Sequence, residues 1–473
     1  SETNRQMFSW LMNNVENLRL YIMGGSPEGG SYYNSLTQLS RLYDEYSSDF
    51  TNNECLNNTW YPDMTYGDLY KKMAMSIALT HSQRVGLWMQ SGVVENQSDA
   101  LRRYAIFKYM HKNGKLRATD TLDITPWFEA LQVEEMRFVM NNAIDDEEIL
   151  WLNAYVQTKL DQYKTTNYLT PHPYMAYVWP DYGNNLYYTE ENREYFNELF
   201  AINGTGLFDL NYTIPGGKTN PTYNLSVTRG TTDNKIYKVW MNFRNKFGTG
   251  AVCGGISKSG SNIRATHGIP AAVIGQPGHA AIIYYTKDAQ GKGYWNLDND
   301  VSGWTLSEKG ERMLLGWGNA TYSRGYSVVY MALAQEVLND YENFEKCEKM
   351  VMLADSYAND LAKQEEIYRK ALEIQPINID AWYGLINVYN ANENKTENEY
   401  FDLAKELGEN LKYFPLPMQH LTNLIKPHLT SIENQYRFTL LQTRILTEGS
   451  QTPNNTADNY YVYQPSLIWQ LTW

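Results

Sequence analysis

The feature that most constrains this chain is a change of hydrophobic period along its length. Residues 6–23 place Met7, Leu11, Val15, Leu18 and Tyr21 at intervals of three and four, the stripe of an amphipathic helix. Residues 68–82 repeat that period. Between 270 and 297 the character is different: short apolar runs at 271–274, 280–285 and 294–297, bounded by glycine, predict antiparallel strands. Beyond 345 the helical spacing returns. Helical blocks on either side of a strand block predict an α+β fold, and 473 residues are too many for one ordinary core. Four regions follow: a helical N-terminal region (1–235), a mixed core (236–333), helical repeats (334–415) and a helical C-terminal region with an aromatic tail (416–473).

Local signals refine this division. Thr125 followed by Pro126 reads as an N-cap and first turn, opening one helix to about residue 142. Asp145, Asp146, Glu147 and Glu148 put negative charge where the dipole of a following helix favours it. Pro215-Gly216-Gly217 marks a break within 204–235, read as loop with short strands. A helix over 236–246 leads into Gly248-Thr249-Gly250-Ala251-Val252-Cys253. Two further helices are predicted at 417–427 and 431–447. The segment 460–473, rich in Tyr and Trp, is expected to dock on the body, since a free apolar terminus is a liability.

Charge narrows the function classes. The chain carries −13, yet residues 241–330 carry nine Lys and Arg against five Asp and Glu, a net +4. The remainder is therefore at −17, an acidic body around a mildly basic core. No clustered positive face is present for nucleic acid, and no apolar stretch approaches the roughly 20 residues that span a bilayer. Three cysteines exclude a disulfide framework. Ser rather than Met at position 1 is read as the trace of a removed N-terminal segment. With scarce Cys and abundant Asn and Tyr, this predicts a secreted or surface protein of bacterial type. Eight Asn-x-Ser/Thr sites are attributed to chance in so Asn-rich a chain.

The seven His and three Cys allow nucleophiles and bases to be weighed singly. Cys253 follows a Gly-rich approach and opens a segment predicted helical to about residue 266, where the dipole would favour a thiolate. His279 starts an apolar strand, a rigid seat for a proton acceptor. Asp298 ends the next one, after Trp295-Asn296-Leu297. Strand alternation puts Asn296 and Asp298 on one face, and if the two strands are adjacent Asp298 can hold the imidazole in one tautomer. Cys55 and Cys347 read as small buried hydrophobes, His267 as a helix C-terminal residue and His172, between two prolines, as loop. His81, His111, His420 and His428 lie on helical patterns without partners.

The ordered set Cys253, then Ile263-Arg264-Ala265-Thr266-His267-Gly268-Ile269-Pro270-Ala271, then Gly278-His279-Ala280 and Trp295-Asn296-Leu297-Asp298, resembles the transglutaminase-like superfamily. The resemblance covers about 240–300. It implies a papain-like core with Cys253 as nucleophile, His279 as general base and acid, and Asp298 as orienter. Three departures stand out. Gly254 and Gly255 follow the Cys and are poor helix formers. Asn299 and Asp300 replace the Pro that follows the Asp in many members, so Asp300 is the alternative orienter. The second oxyanion donor has no clear counterpart, with Trp240 and Gln276 the candidates. Separately, Tyr368, Ala371, Pro376, Trp382, Leu385 and Tyr389 resemble the tetratricopeptide repeat, although Glu348 stands at the position equivalent to Trp382.

Other signatures fail. Gly248-x-Gly250-x-x-x-Gly254 lacks dinucleotide spacing. The calcium-like run from Asp298 has Lys309 at its twelfth position, and serine-hydrolase and zinc-peptidase motifs are missing. The expectation is a cysteine-dependent enzyme acting on an amide of a peptide, glycopeptide or protein, hydrolysis favoured over transamidation, with no cofactor and no metal. The alternative is a catalytically silent module of the same fold that binds protein or carbohydrate. The helical repeats offer a surface for a protein partner, and the 39 Tyr, 13 Trp and 14 Phe offer rings for glycan contact.

Overall fold

The computed structural model describes residues 2–28, 32–81, 99–116, 125–141, 149, 153, 213–214, 218–219, 260–262, 264–276, 279–287, 291–298, 328–357 and 359–450. The chain divides into two compact units. One comprises Ser1–Gly24, Tyr33–Ile274 and His279–Asp300, and the other Gly25–Tyr32, Gly275–Gly278 and Val301–Trp473. The described residues are mostly helical with a small three-stranded sheet, as the alternation of periods predicts. The four-region division is finer than these two units. The helix at 236–246, the acidic helix start at 145–148, His172 and the aromatic tail lie outside the described residues.

The first unit begins with α1 (Glu2–Met12) and α2 (Val15–Met23). The apolar stripe of residues 6–23 is thus carried by two helices, because Asn14 accepts the Asn17 N–H at 3.0 Å and caps the second; its cap conformation is extended. Met7, Leu11, Leu18 and Tyr21 are buried, whereas Val15 is 71% exposed. Then come α3 (Tyr32–Phe50), α4 (Tyr66–Thr80) and α5 (Ala100–Lys112). Helix α4 is closed at its start by a reciprocal Thr65–Asp68 capping box. It is buried along nearly its whole length, with Leu69, Met73 and Ile77 fully covered, each worth about 1.5–3 kcal/mol of hydrophobic stabilisation.

The single helix expected over 125–142 is in fact two, α6 (Thr125–Glu129) and α7 (Val133–Met140). The break has a local cause. Gln132 donates its N–H to Glu135 Oε2 at 2.9 Å and starts α7 afresh. The buried Lys72 Nζ takes the Glu129 carbonyl at 2.8 Å and the Leu131 carbonyl at 2.7 Å. An ammonium on the last carbonyls of a helix satisfies acceptors that its continuation would otherwise have used.

Two short strands, β1 (Thr213–Ile214) and β2 (Lys218–Thr219), pair antiparallel across Pro215-Gly216-Gly217. The predicted strand runs appear as β3 (Ala271–Gln276), β4 (His279–Lys287) and β5 (Gly293–Asp298), in the order β3-β4-β5. β4 and β5 are antiparallel, with Ile282 opposite Asp298, Tyr284 opposite Asn296 and Tyr285 opposite Trp295. The Tyr285 and Trp295 rings meet at 5.3 Å and turn into the core, Trp295 against Phe138 of α7 at 4.6 Å and Tyr285 against Trp127 of α6 at 6.1 Å. Gly293 lies where any Cβ would collide with the Tyr285 ring, so its lack of a side chain lets that ring in.

The second unit is a series of helices: α8 (Val328–Asn339), α9 (Tyr341–Ser356), α10 (Leu361–Ile374), α11 (Ile379–Ala391), α12 (Glu397–Leu411), α13 (Pro415–Ile425) and α14 (Ile432–Ser450). Side-chain caps at Asp340, Asp360, Asn378 and Thr396 start α9 to α12. Consecutive members pack together, α9 on α10 and α10 on α11. The spaced residues Tyr368, Ala371, Trp382, Leu385 and Tyr389 are all buried. Trp382 donates its indole N–H to the Pro376 carbonyl at 2.7 Å, which ties the connector to the next helix.

Candidate functional site

Residues 260–262 and 264–266 are helical, and their end is built by sequence chemistry. The Ile269 N–H donates to the Arg264 carbonyl at 3.0 Å and the Gly268 N–H to the Ala265 carbonyl at 3.0 Å, a Schellman closure. It needs a left-handed residue, and Gly268 has φ +79°. Pro270 then prevents continuation, and β3 starts one residue later. His267 sits at the C-cap of this helix, fully buried, as expected. Asn153 donates to the Thr266 carbonyl at 2.7 Å and to that of Lys115 at 2.9 Å.

This helix touches the hairpin through Arg264. The Arg264 guanidinium sits 4.3 Å from the centre of the Tyr284 ring, a cation–π contact worth roughly 0.5–2 kcal/mol. Asn296, opposite Tyr284, donates to Thr286 Oγ1 at 2.8 Å. The cation–π contact thus places Arg264 beside Tyr284, whose strand partner is Asn296.

His279 is the first residue of β4 and Asp298 the last of β5, so the two strands are neighbours as expected. Adjacency alone does not turn one toward the other. Successive strand residues alternate faces and directly opposed residues share one. On a regular ladder Asp298 belongs with Ile282, Tyr284 and Asn296, and His279 with Ala281, Ile283 and Tyr285. Gln276 ends β3. Cys253, Trp240 and Asp300 lie outside the described residues.

Expectations about four single residues are corrected. Cys55 is exposed, not buried; it lies in the loop before α4, its Sγ 2.8 Å from the Pro62 carbonyl. Cys347 is buried, and desolvation pushes its thiol far up. His111, expected without a partner, has Nε2 2.7 Å from Glu129 Oε1, both side chains nearly fully buried. The other Glu129 oxygen accepts from Asn58 at 2.7 Å. Tyr66, Tyr70 and Phe128 rings surround the imidazole. The cluster binds α5 and α6 to the loop before α4 and is closed to solvent. His81 and His428 have partners as well: His81 Nδ1 lies 3.0 Å from Thr80 Oγ1, and His428 stacks on Tyr400 at 4.2 Å.

Sequence reading also passed over a buried acidic group in the second unit. Glu348 is fully buried. Its Oε1 accepts from Asn378 at 2.9 Å and its Oε2 from the Tyr32 hydroxyl at 3.5 Å. The signal was present, since a carboxylate stood where the repeat spacing calls for Trp. Among the described residues, no cluster of three or more His, Cys, Asp or Glu is arranged to hold a metal ion.

No family model matches the chain, and no curated protein or solved structure matches it either.

Proposed function

We propose that the chain is a cysteine-dependent acyl-transfer enzyme acting on an amide carbonyl of a peptide, glycopeptide or protein. Its core is papain-like, and the helices over 334–415 are tetratricopeptide-like repeats suited to a protein partner. The observation that carries this reading is the arrangement after Cys253. A helical segment closes at Gly268, and two neighbouring antiparallel strands follow, with His279 opening one and Asp298 ending the other. In this scheme His279 takes the Cys253 proton, and the thiolate adds to the carbonyl carbon. The tetrahedral intermediate collapses to a thioester as His279 returns the proton to the leaving amine. Water, deprotonated by the same imidazole, then releases the acid and restores the thiol; an amine in place of water gives transamidation. Hydrolysis is the favoured outcome, and a secreted or surface setting suits such substrates. Among the described residues no helix is long and apolar enough to cross a membrane.

The second reading, a catalytically silent module that binds protein or glycan, is favoured by strand parity: carried back from the observed Ile282–Asp298 pair, regular alternation assigns positions 279 and 298 to opposite faces. Site-resolved alkylation separates the two. The exposed Cys55 serves as the internal reference at pH 6. In the whole chain under limiting iodoacetamide, Cys253 is expected to label at least ten times faster than Cys55, and the bias should vanish in His279→Ala. Equal labelling of Cys253 and Cys55 would rule out the enzyme.

A further inference from the structure

The second unit gathers three carboxyl groups in one place, Glu348 and Asp380 buried and Asp355 half-buried. Glu348 and Asp355 come from α9 and Asp380 from α11, with Glu348 and Asp380 hydrogen-bonded to each other. Two residues from the short Gly25–Tyr32 stretch that belongs to this unit reach all three. Ser26 donates to Asp380 Oδ1 at 3.1 Å. The Tyr32 hydroxyl donates to Glu348, and the Tyr32 N–H donates to Asp355. Both Ser26 and Tyr32 are buried.

Among the described residues, the titratable groups that act on Glu348 are acids: Asp355 and Cys347 on α9, Tyr368 on α10, Asp380 on α11 and Tyr32 itself. The other contacts are neutral, Asn378 to Glu348 and the Tyr368 hydroxyl to Asp355 at 2.7 Å. Two carboxylates in hydrogen-bond contact and out of water cannot both be charged at low cost. One shared proton turns their repulsion into a charge-assisted hydrogen bond.

We propose that the Glu348–Asp380 pair is a proton latch. While the pair holds one proton, Ser26 and Tyr32 stay seated on α9 and α11; when that proton leaves, the repelling carboxylates release them. Burial supports the working range, since it pushes Glu348 up to about 7 and Asp355 to about 6. The sign follows: the folded acid holds its proton more tightly than the unfolded one. The seating is therefore fully present below about pH 4.5 and is lost as pH rises through 7. The latch is independent of any chemistry at Cys253.

Hydrogen exchange of the full chain tests it, read on peptides that contain Ser26 and Tyr32 and corrected for intrinsic pH dependence. In the wild type the corrected rate is expected to rise at least tenfold between pH 5 and pH 8.5. In Glu348→Gln, whose amide can keep the Asn378 and Asp380 hydrogen bonds without a charge, it should stay within twofold. Asp380→Asn is the second variant and should behave the same way. A flat wild-type profile would overturn the latch whatever the variants do, and so would a folded Glu348→Gln that keeps the wild-type rise.

Discussion

Replacing Gly268 by Ala should weaken the first unit by about 2–5 kcal/mol. Two costs add. At φ +79° a residue with a Cβ is in the left-handed region, worth about 1–2 kcal/mol. The new Cβ would also stand 2.9 Å from Phe128 Cδ2 and 3.3 Å from Leu116 Cβ. Phe128 and Leu116 are buried, so one of them must shift, an overpacking cost of about 1–3 kcal/mol. Hydrogen exchange of β4 amides is the assay, because a two-unit chain need not unfold in one step. Amides that exchange through opening of the whole unit should accelerate roughly 30- to 5,000-fold. Gly268→Asn separates the two costs, since Asn tolerates the left-handed region but carries the same Cβ. It should recover the backbone part and keep the crowding part. A loss below about 0.5 kcal/mol in Gly268→Ala would refute the reasoning, because the Schellman closure could not then depend on glycine.

Two other predictions concern titration. Burial pushes the Lys72 amine down to about 8, so the unfolded chain binds the extra proton between about pH 8 and 10.5, and stability of the first unit should rise across that window by up to about 3 kcal/mol. Lys72→Met should abolish that slope in urea titrations at pH 8 and pH 10, and an unchanged slope would assign the titration elsewhere. If Asp298 orients His279, Asp298→Ala should raise the pH midpoint of Cys253 alkylation by about one unit or more while Asp300→Ala leaves it in place; the reverse result would make Asp300 the orienter.

The parts of the fold that were legible are those fixed by local chemistry. The strand runs at 271–274, 280–285 and 294–297 emerged within a few residues because apolar runs between glycines leave little else open to them. His267 was placed at a helix end by Gly268 and Pro270 alone. The misses were decided across the chain. The break between α6 and α7 is held by Lys72 from another helix, some 57 residues away, and no window around 125–142 contains it. Cys55 was misjudged as buried because composition ranks cysteine by habit, whereas a loop decided its exposure. His111 was read as partnerless because Glu129 lies on a helix that reaches it only in the folded unit. Glu348 differs from these. Its anomaly was visible in the repeat spacing, and only its partners were not.

The candidate site shows the same division more sharply. The order of Cys253, His279 and Asp298, and the strands that carry two of them, follow from sequence chemistry. Whether those two can meet depends on register, a property of strand pairing that spacing along the chain does not encode. A slip of one residue transfers every side chain of a strand to the other face. With Ile282 opposite Asp298, regular alternation assigns positions 279 and 298 to opposite faces, whereas a slip of one residue would assign them to the same face. The choice between the proposed acyl-transfer enzyme and the proposed silent binding module therefore turns on register at this end of the strand, and alkylation of Cys253 reads it through its chemistry.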